Sequence, residues 1–269
     1  MAESRASERP VKDFLWPQLR ALPYFRALLR SVEASYYPDL ALPHPILDVG
    51  CGDGHFASVA FDFKLDLGLD PWGEVLREAR RYGAYRGLVQ AEGACAPFPD
   101  GHFASAVSNS VLEHIADVDA VLHETARVLR PSAPFLFCVP NHQWLAGLSI
   151  SSGLHKVGLS GLARAYERWF RAVSRHVHLD SPETWEARLA KAGFRLERWW
   201  HYFPPRALHA LEWGHYFGLP SLIVRVLTGR WILAPWRWNL ALTEGYARRY
   251  ASAEATPQGT YTFYVARRV

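Results

Sequence analysis

The stretch Ile46-Leu47-Asp48-Val49-Gly50-Cys51-Gly52-Asp53-Gly54-His55-Phe56 limits what this chain can fold into more than any other. A short apolar run carries one acidic residue, Asp48, and then meets three glycines at alternate positions, Gly50, Gly52 and Gly54. The pattern reads as a buried strand that turns through a loop into a helix. Glycine lacks a Cβ and tolerates positive φ, so the backbone of such a loop can lie close against a small polar ligand. The dinucleotide fingerprint G-x-G-x-x-G needs glycine or alanine where this chain has His55, which disfavours a nicotinamide or flavin ligand.

Three further blocks follow in order. Lys64 to Pro71 reads as a second strand ending in Asp70, about twenty residues after the first, the spacing of a carboxylate that accepts from both hydroxyls of a ribose. Asp70 also suits a helix cap, since Pro71 stands at the first turn of a helix expected over Trp72 to Tyr82, and the two roles are compatible. The third block, Leu88 to Asp100, combines a strand, the acidic Glu92, Gly93 and a loop with Pro97-Phe98. The fourth, Phe103 to Ile115, places Asn109 and Ser110 at the end of another strand. From Asp117 to Leu129 the spacing of Val118, Val121, Leu122, Val128 and Leu129 predicts an amphipathic helix, acidic at its start and basic at its end. Pro131 stops it, and Phe135 to Val139 reads as a buried strand.

Taken together over roughly residues 46–141, the four blocks resemble the class I S-adenosylmethionine-dependent methyltransferases. The fourth is similar to the branch that includes the ubiquinone and menaquinone methyltransferases and many small-molecule enzymes. The resemblance implies an α/β, Rossmann-like, doubly wound and mostly parallel seven-stranded sheet with an antiparallel last strand at Thr260 to Ala266. It implies S-adenosylmethionine as cofactor, its methionine end held by Gly50, Cys51, Gly52 and Gly54 with Asp48 orienting the loop. Asp70 and Pro71 would then meet the ribose, Glu92 and Gly93 the adenine, and Asn109 and Ser110 the amino-acid end. In that family aspartate is more usual at the position of Glu92.

A chain of 269 residues can bury a full core. Alternating strand and helix patterns imply a parallel sheet covered on both faces. A later helix from Ser181 to Ala192 has serine as N-cap, proline at its first turn and Gly193 as its stop; it feeds a strand over Phe194 to His201. The cysteines Cys51, Cys95 and Cys138 form no paired pattern, which fits a reduced, cytoplasmic protein, and no apolar signal core is read at the N-terminus. Cys51 suits a tight turn better than a nucleophile. The net charge of +4 comes from arginines scattered among acids and aromatics, without a basic stripe, so nucleic acid is not the favoured partner.

Residues 1–45 hold a leucine-rich helix expected around Leu19 to Tyr36, either a lid over the cofactor cleft or a helix on the sheet edge. The methyltransferase domain would run over 46–269, with aromatic-rich insertions at about 142–180 and 202–256. Arg225, Arg230 and Arg237 interrupt the apolar run in the second insertion, which falls short of the ~20 residues that span a bilayer. The insertions read as a helical cap over the site, either an ordinary subdomain core or a peripheral membrane contact serving a lipid-like acceptor.

Displacement of a methyl from a sulfonium mainly requires that acceptor and methyl be held at attack distance in a dry cleft. If the acceptor is a hydroxyl, a histidine base would assist, and His114, His142 and His176 are the candidates. His176 and His178 have a metal-ligand spacing, but no matching carboxylate or cysteine cluster is visible, so no metal is expected. The expected function is methyl transfer to a small or lipid-like molecule. The alternatives are an inactive cofactor-binding partner or sensor and, less favoured, an oxidoreductase. The acceptor and the oligomeric state are not readable from these residues.

Overall fold

The computed structural model describes residues 12–269. Two helices, α1 (Leu15–Leu19) and α2 (Tyr24–Ala34), precede the sheet. Then come β1 (Ile46–Val49), α3 (His55–Ala60), β2 (Leu65–Asp70), α4 (Gly73–Tyr82), β3 (Tyr85–Gln90), β4 (Ser105–Asn109), α5 (Val118–Val128) and β5 (Pro134–Pro140). The second half holds α6 (Ser149–Lys156), α7 (Ser160–Ser174), α8 (Pro182–Ala192), β6 (Phe194–Tyr202), α9 (Pro205–Phe217), α10 (Leu219–Thr228), α11 (Arg237–Arg248) and β7 (Tyr261–Arg268).

The strands form one sheet in the order β3-β2-β1-β4-β5-β7-β6. The first five are parallel, and β7 lies antiparallel between β5 and β6, as the resemblance implied. Strand order reverses between β1 and β4, and ligands of open α/β sheets bind at the carboxyl ends of the strands flanking such a switch. Both faces are covered, which explains why β5 is apolar throughout. Leu136 and Cys138 pack on one side with Trp144, Tyr202 and Phe263. Phe135, Phe137 and Val139 pack on the other with Trp185 and Tyr264.

The single helix expected over Leu19 to Tyr36 is instead broken in two. Pro23 has no N–H to continue α1 and takes φ −54°, ψ 145° as the N-cap of α2. Ser181 stands at the N-cap of α8, but its side chain makes no capping bond; Pro182 opens that helix and Gly193, at φ 88°, closes it.

The insertions supply α6 and α7, and α9 to α11. They are welded by Glu212, a buried carboxylate of α9 that accepts from the Ser149 N–H (2.6 Å), the Ile150 N–H (3.2 Å) and the Tyr166 hydroxyl (2.7 Å). Two of those donors are free N–H groups at the start of α6, where a negative charge is favoured. A Cβ at Gly214 would collide with Phe25, so glycine lets α9 lie directly against α2. The Tyr24 hydroxyl adds a bond to the Ala210 carbonyl (3.0 Å). α10 differs from the other long helices in burying none of its residues.

Candidate cofactor and acceptor site

The glycine loop leaves β1 with Gly50 at φ 78°, where a Cβ would run into the Val111 side chain. The Gly50 and Cys51 N–H groups both donate to the Leu69 carbonyl (2.8 and 2.9 Å), which ties the loop to the end of β2. Gly52 sits at φ 55° with nothing within 4 Å of a Cβ built there; its N–H donates to Asp70 Oδ2 (3.0 Å). Asp70 Oδ1 accepts from the Trp72 N–H (3.0 Å). Each oxygen of this buried carboxylate therefore keeps a lone pair for another donor.

Asp48 lies beneath the loop and accepts from the Tyr85 hydroxyl (2.6 Å), which also reaches the Cys51 carbonyl (3.5 Å). Burial pushes the Asp48 carboxyl up to about 7, against the opposing pull of the Tyr85 bond. Asp48 thus acts on the loop through Tyr85, a residue at the start of β3 that the motif does not contain. The Cys51 thiol is buried beside Gly68, and burial followed by the nearby carboxylates drives its pKa far up, so it is no nucleophile.

Two recesses meet at this point. One, of about 480 Å³, is lined by the loop, Asp70 and Asn109, and walled on the far side by Gln18, Arg26 and Arg30 of α1 and α2. The other, of about 430 Å³, is lined by Glu92, Gly93, Pro71, Trp72, His114 and Ile115. Gly50, Asp70 and Val111 border both. The cofactor candidates named from sequence therefore line one place, with Asp70 at the junction, except Gly54, which lines neither recess and lets the loop lie against Ala79 and Tyr85.

Asn109 and Ser110 are differently employed from what their position suggests. Asn109 Nδ2 donates to Glu33 Oε2 (2.6 Å), and its Oδ1 accepts from the Tyr37 hydroxyl (3.2 Å). Ser110, at φ 51°, donates to Glu33 Oε1 (2.7 Å), and Tyr202 and Arg30 complete the shell of that carboxylate at 3.2 and 3.1 Å. Glu33 is fully buried. Its network fastens α2 to the end of β4, so Asn109 and Ser110 shape the wall of the recess while their side chains hold the N-terminal segment.

Two polar groups of this site, Arg26 and Gln18, lie outside the sequence motifs. Arg26 lines the first recess and stacks 5.7 Å from the Trp231 ring; among the described residues no carboxylate pairs with it. Both polar atoms of Gln18, buried at the same wall, lack a partner, as does His55 Nδ1. Only the packing of α1 and α2 across the sheet edge brings Gln18 and Arg26 here.

The three candidate histidines part company. His114 lines the second recess; its Nδ1 bonds the Arg175 carbonyl (2.9 Å). His176 stands beside it, ring centres 5.4 Å apart, and burial, reinforced by His114 and Arg171, lowers its pKa to about 3. His142 is not at either recess: it is exposed and neighbours His201 of β6 (5.9 Å), because the chain turns outward after Asn141 is anchored to Gly259 and Thr262. His178, two residues beyond His176, bonds the Ile115 carbonyl (2.9 Å).

A glycine loop over a buried carboxylate at the switch point of this sheet is the arrangement of a nucleotide-cofactor site, and comparison with known proteins shows the family. A family profile described as a methyltransferase domain matches residues 20–216, and the chain belongs to that family. A ubiquinone biosynthesis O-methyltransferase of Brucella anthropi is 30% identical over 175 residues, 61% of this chain and 66% of that protein. A fatty-acid O-methyltransferase of Mycolicibacterium smegmatis is 40% identical over 98 residues, 34% of this chain and 35% of that one. The chain thus spans less than two thirds of the length of either relative. Among solved structures, a methyltransferase of Thermotoga maritima superposes with a TM-score of 0.55 at 15% identity, covering 91% of this chain and 90% of the other, a likeness of fold alone.

Proposed function

We propose that the chain transfers the methyl group of S-adenosylmethionine to a small amphiphilic or lipid-like acceptor, with the cofactor laid across the two recesses. The observation that carries this reading is the place of Asp70, a buried carboxylate with unused lone pairs where the recesses join. Ribose would bond there, adenine would extend to Glu92 and Gly93, and the methionine would lie along the glycine loop. Its carboxylate meets the unpaired Arg26, and Gln18 has both a donor and an acceptor to offer its ammonium and carboxylate ends. α1 and α2 serve as a fixed wall of the cleft. The sulfonium is already an activated leaving group, so the protein supplies orientation and exclusion of water.

The lipid-like acceptor is supported by the second insertion. Val226 and Leu227 are each 77% exposed and Leu242 is 90% exposed, with Phe217, Ile223, Trp236 and Trp238 also uncovered. Arginines 225, 230 and 237 border these residues, the composition of a surface that settles at the headgroup level of an anionic bilayer. Among the described residues no helix is long and apolar enough to cross a membrane. The fatty-acid O-methyltransferase relative has a lipid named as its substrate.

Calorimetric titration with S-adenosylmethionine and S-adenosylhomocysteine, with NAD as control, tests the cofactor reading. Micromolar binding of the first two, lost in Asp70→Ala, is expected; binding of NAD alone would replace methyl transfer with hydride transfer. Turnover on a panel of hydroxylated lipids then separates an enzyme from a cofactor sensor.

A further inference from the structure

Behind His114, two segments distant in sequence are clamped together. The turn after β4 presents Glu113, whose backbone carbonyl accepts from the Val177 and His178 N–H groups (2.8 and 3.1 Å). The connection after α7 presents His176, immediately past Arg175 in the left-handed conformation at φ 57°. One ligand atom from each of Glu113, His114 and His176 lies within 4.8 Å of the others. The carboxylate that the His176 and His178 spacing lacked in the sequence is thus Glu113, brought in by the fold.

Each of the three side chains turns a donor atom toward the others. His114 Nδ1 faces the Arg175 carbonyl, which fixes the proton on that nitrogen and turns the Nε2 lone pair toward Glu113 Oε1 at 3.6 Å. Glu113 is 1% exposed, yet its Oε2 has no partner, and Nδ1 of His176 is also buried and unpartnered. Arg30, which acts on Glu113 through its charge, gives its hydrogen bonds to Glu33 and the Asn109 carbonyl instead. A buried carboxylate oxygen without a donor is costly, and a cation removes that cost.

We propose that Glu113, His114 and His176 form a binding site for a divalent transition-metal ion of the zinc type. Two imidazoles and one carboxylate leave a coordination position open, the donor set of ions that prefer nitrogen, whereas magnesium and calcium favour all-oxygen sites. In tetrahedral zinc sites neighbouring ligand atoms stand about 3.3 Å apart, so the His114–Glu113 pair at 3.6 Å is nearly in place and the His176 imidazole closes by up to about 1.5 Å. His114 also lines the recess beside Glu92, so the ion would sit at the wall of that second recess.

The test uses the full chain without a histidine tag, stripped with chelator and titrated calorimetrically with zinc and, separately, with magnesium. One equivalent of zinc per chain is expected, bound at least about a hundredfold more tightly than magnesium. His176→Ala and His114→Ala should each weaken zinc at least about tenfold, while His142→Ala, remote from the cluster, should not. Absence of stoichiometric zinc binding, or equal binding by His176→Ala and His142→Ala, would overturn the proposal. Cobalt(II) in the unmutated chain gives a reading that no folding defect can confuse: strong visible bands of a low-coordinate, nitrogen-bearing site support it, and the weak bands of an octahedral aquo ion refute it. None of these readouts involves methyl transfer, so failure here leaves the cofactor reading standing.

Discussion

At Gly52 there is open space where a side chain would point, so its identity answers to a ligand more than to packing. Gly52→Ala should keep the fold at a backbone cost of about 1–2 kcal/mol, and should lower S-adenosylmethionine affinity at least about tenfold by calorimetry. Asp48 belongs to the same turn but answers to pH. Its carboxyl ionises near 3.8 when unfolded and near 7 when folded, so between those values the native state holds a proton that the unfolded chain releases. The stability it contributes is complete below about pH 4 and is lost as pH rises through 7, on the order of 2–4 kcal/mol. Asp48→Asn cannot ionise and still accepts from Tyr85. Denaturant midpoints measured from pH 5 to 8 should therefore decline less steeply in that variant than in the parent.

Elements divide by what organises them. The glycine loop and β1 to β5 were legible because local period and turn chemistry specify them, the antiparallel β7 followed from the family resemblance, and residues of all four blocks line the two recesses. Pro23 is a local signal for the break between α1 and α2 that the leucine spacing on either side of it masks. Tyr85 beneath Asp48, Glu33 against Asn109 and Ser110, Arg26 at the cleft wall and Glu113 beside His176 carry no local signal, since each meeting joins segments separated by tens of residues. His142 misled because following a strand does not fix which way a side chain turns. Within the insertions, α10 is an apolar helix without a covering partner among the described residues, and that makes it testable alone. Val226→Asp combined with Leu227→Asp should leave the melting temperature nearly unchanged, because both side chains face solvent, and should abolish co-sedimentation with anionic vesicles. Equal sedimentation of parent and variant, or none by either with and without anionic lipid, would remove the membrane reading.

Across the whole molecule, α2 is bound to the end of β4 largely through one buried carboxylate, Glu33. Removing it with Glu33→Ala leaves Arg30, Asn109, Ser110 and Tyr202 short of their acceptor, which should cost about 3–5 kcal/mol. For a chain of this size that corresponds to a fall in melting temperature of roughly 10 °C, read by scanning calorimetry. The α10 wall of the same recess is held differently. Arg225 of α10 reaches across to Glu78 of α4 at 3.2 Å, with both side chains about one third exposed or more. Such a pair contributes ~1 kcal/mol at most and weakens further in salt. One wall of the recess is therefore masonry and α10 a latch, and the latch is the side expected to yield first, as a door. The door and the outward-facing apolar helix are thus the same element, so whatever surface α10 rests upon would also decide how freely the site exchanges its contents.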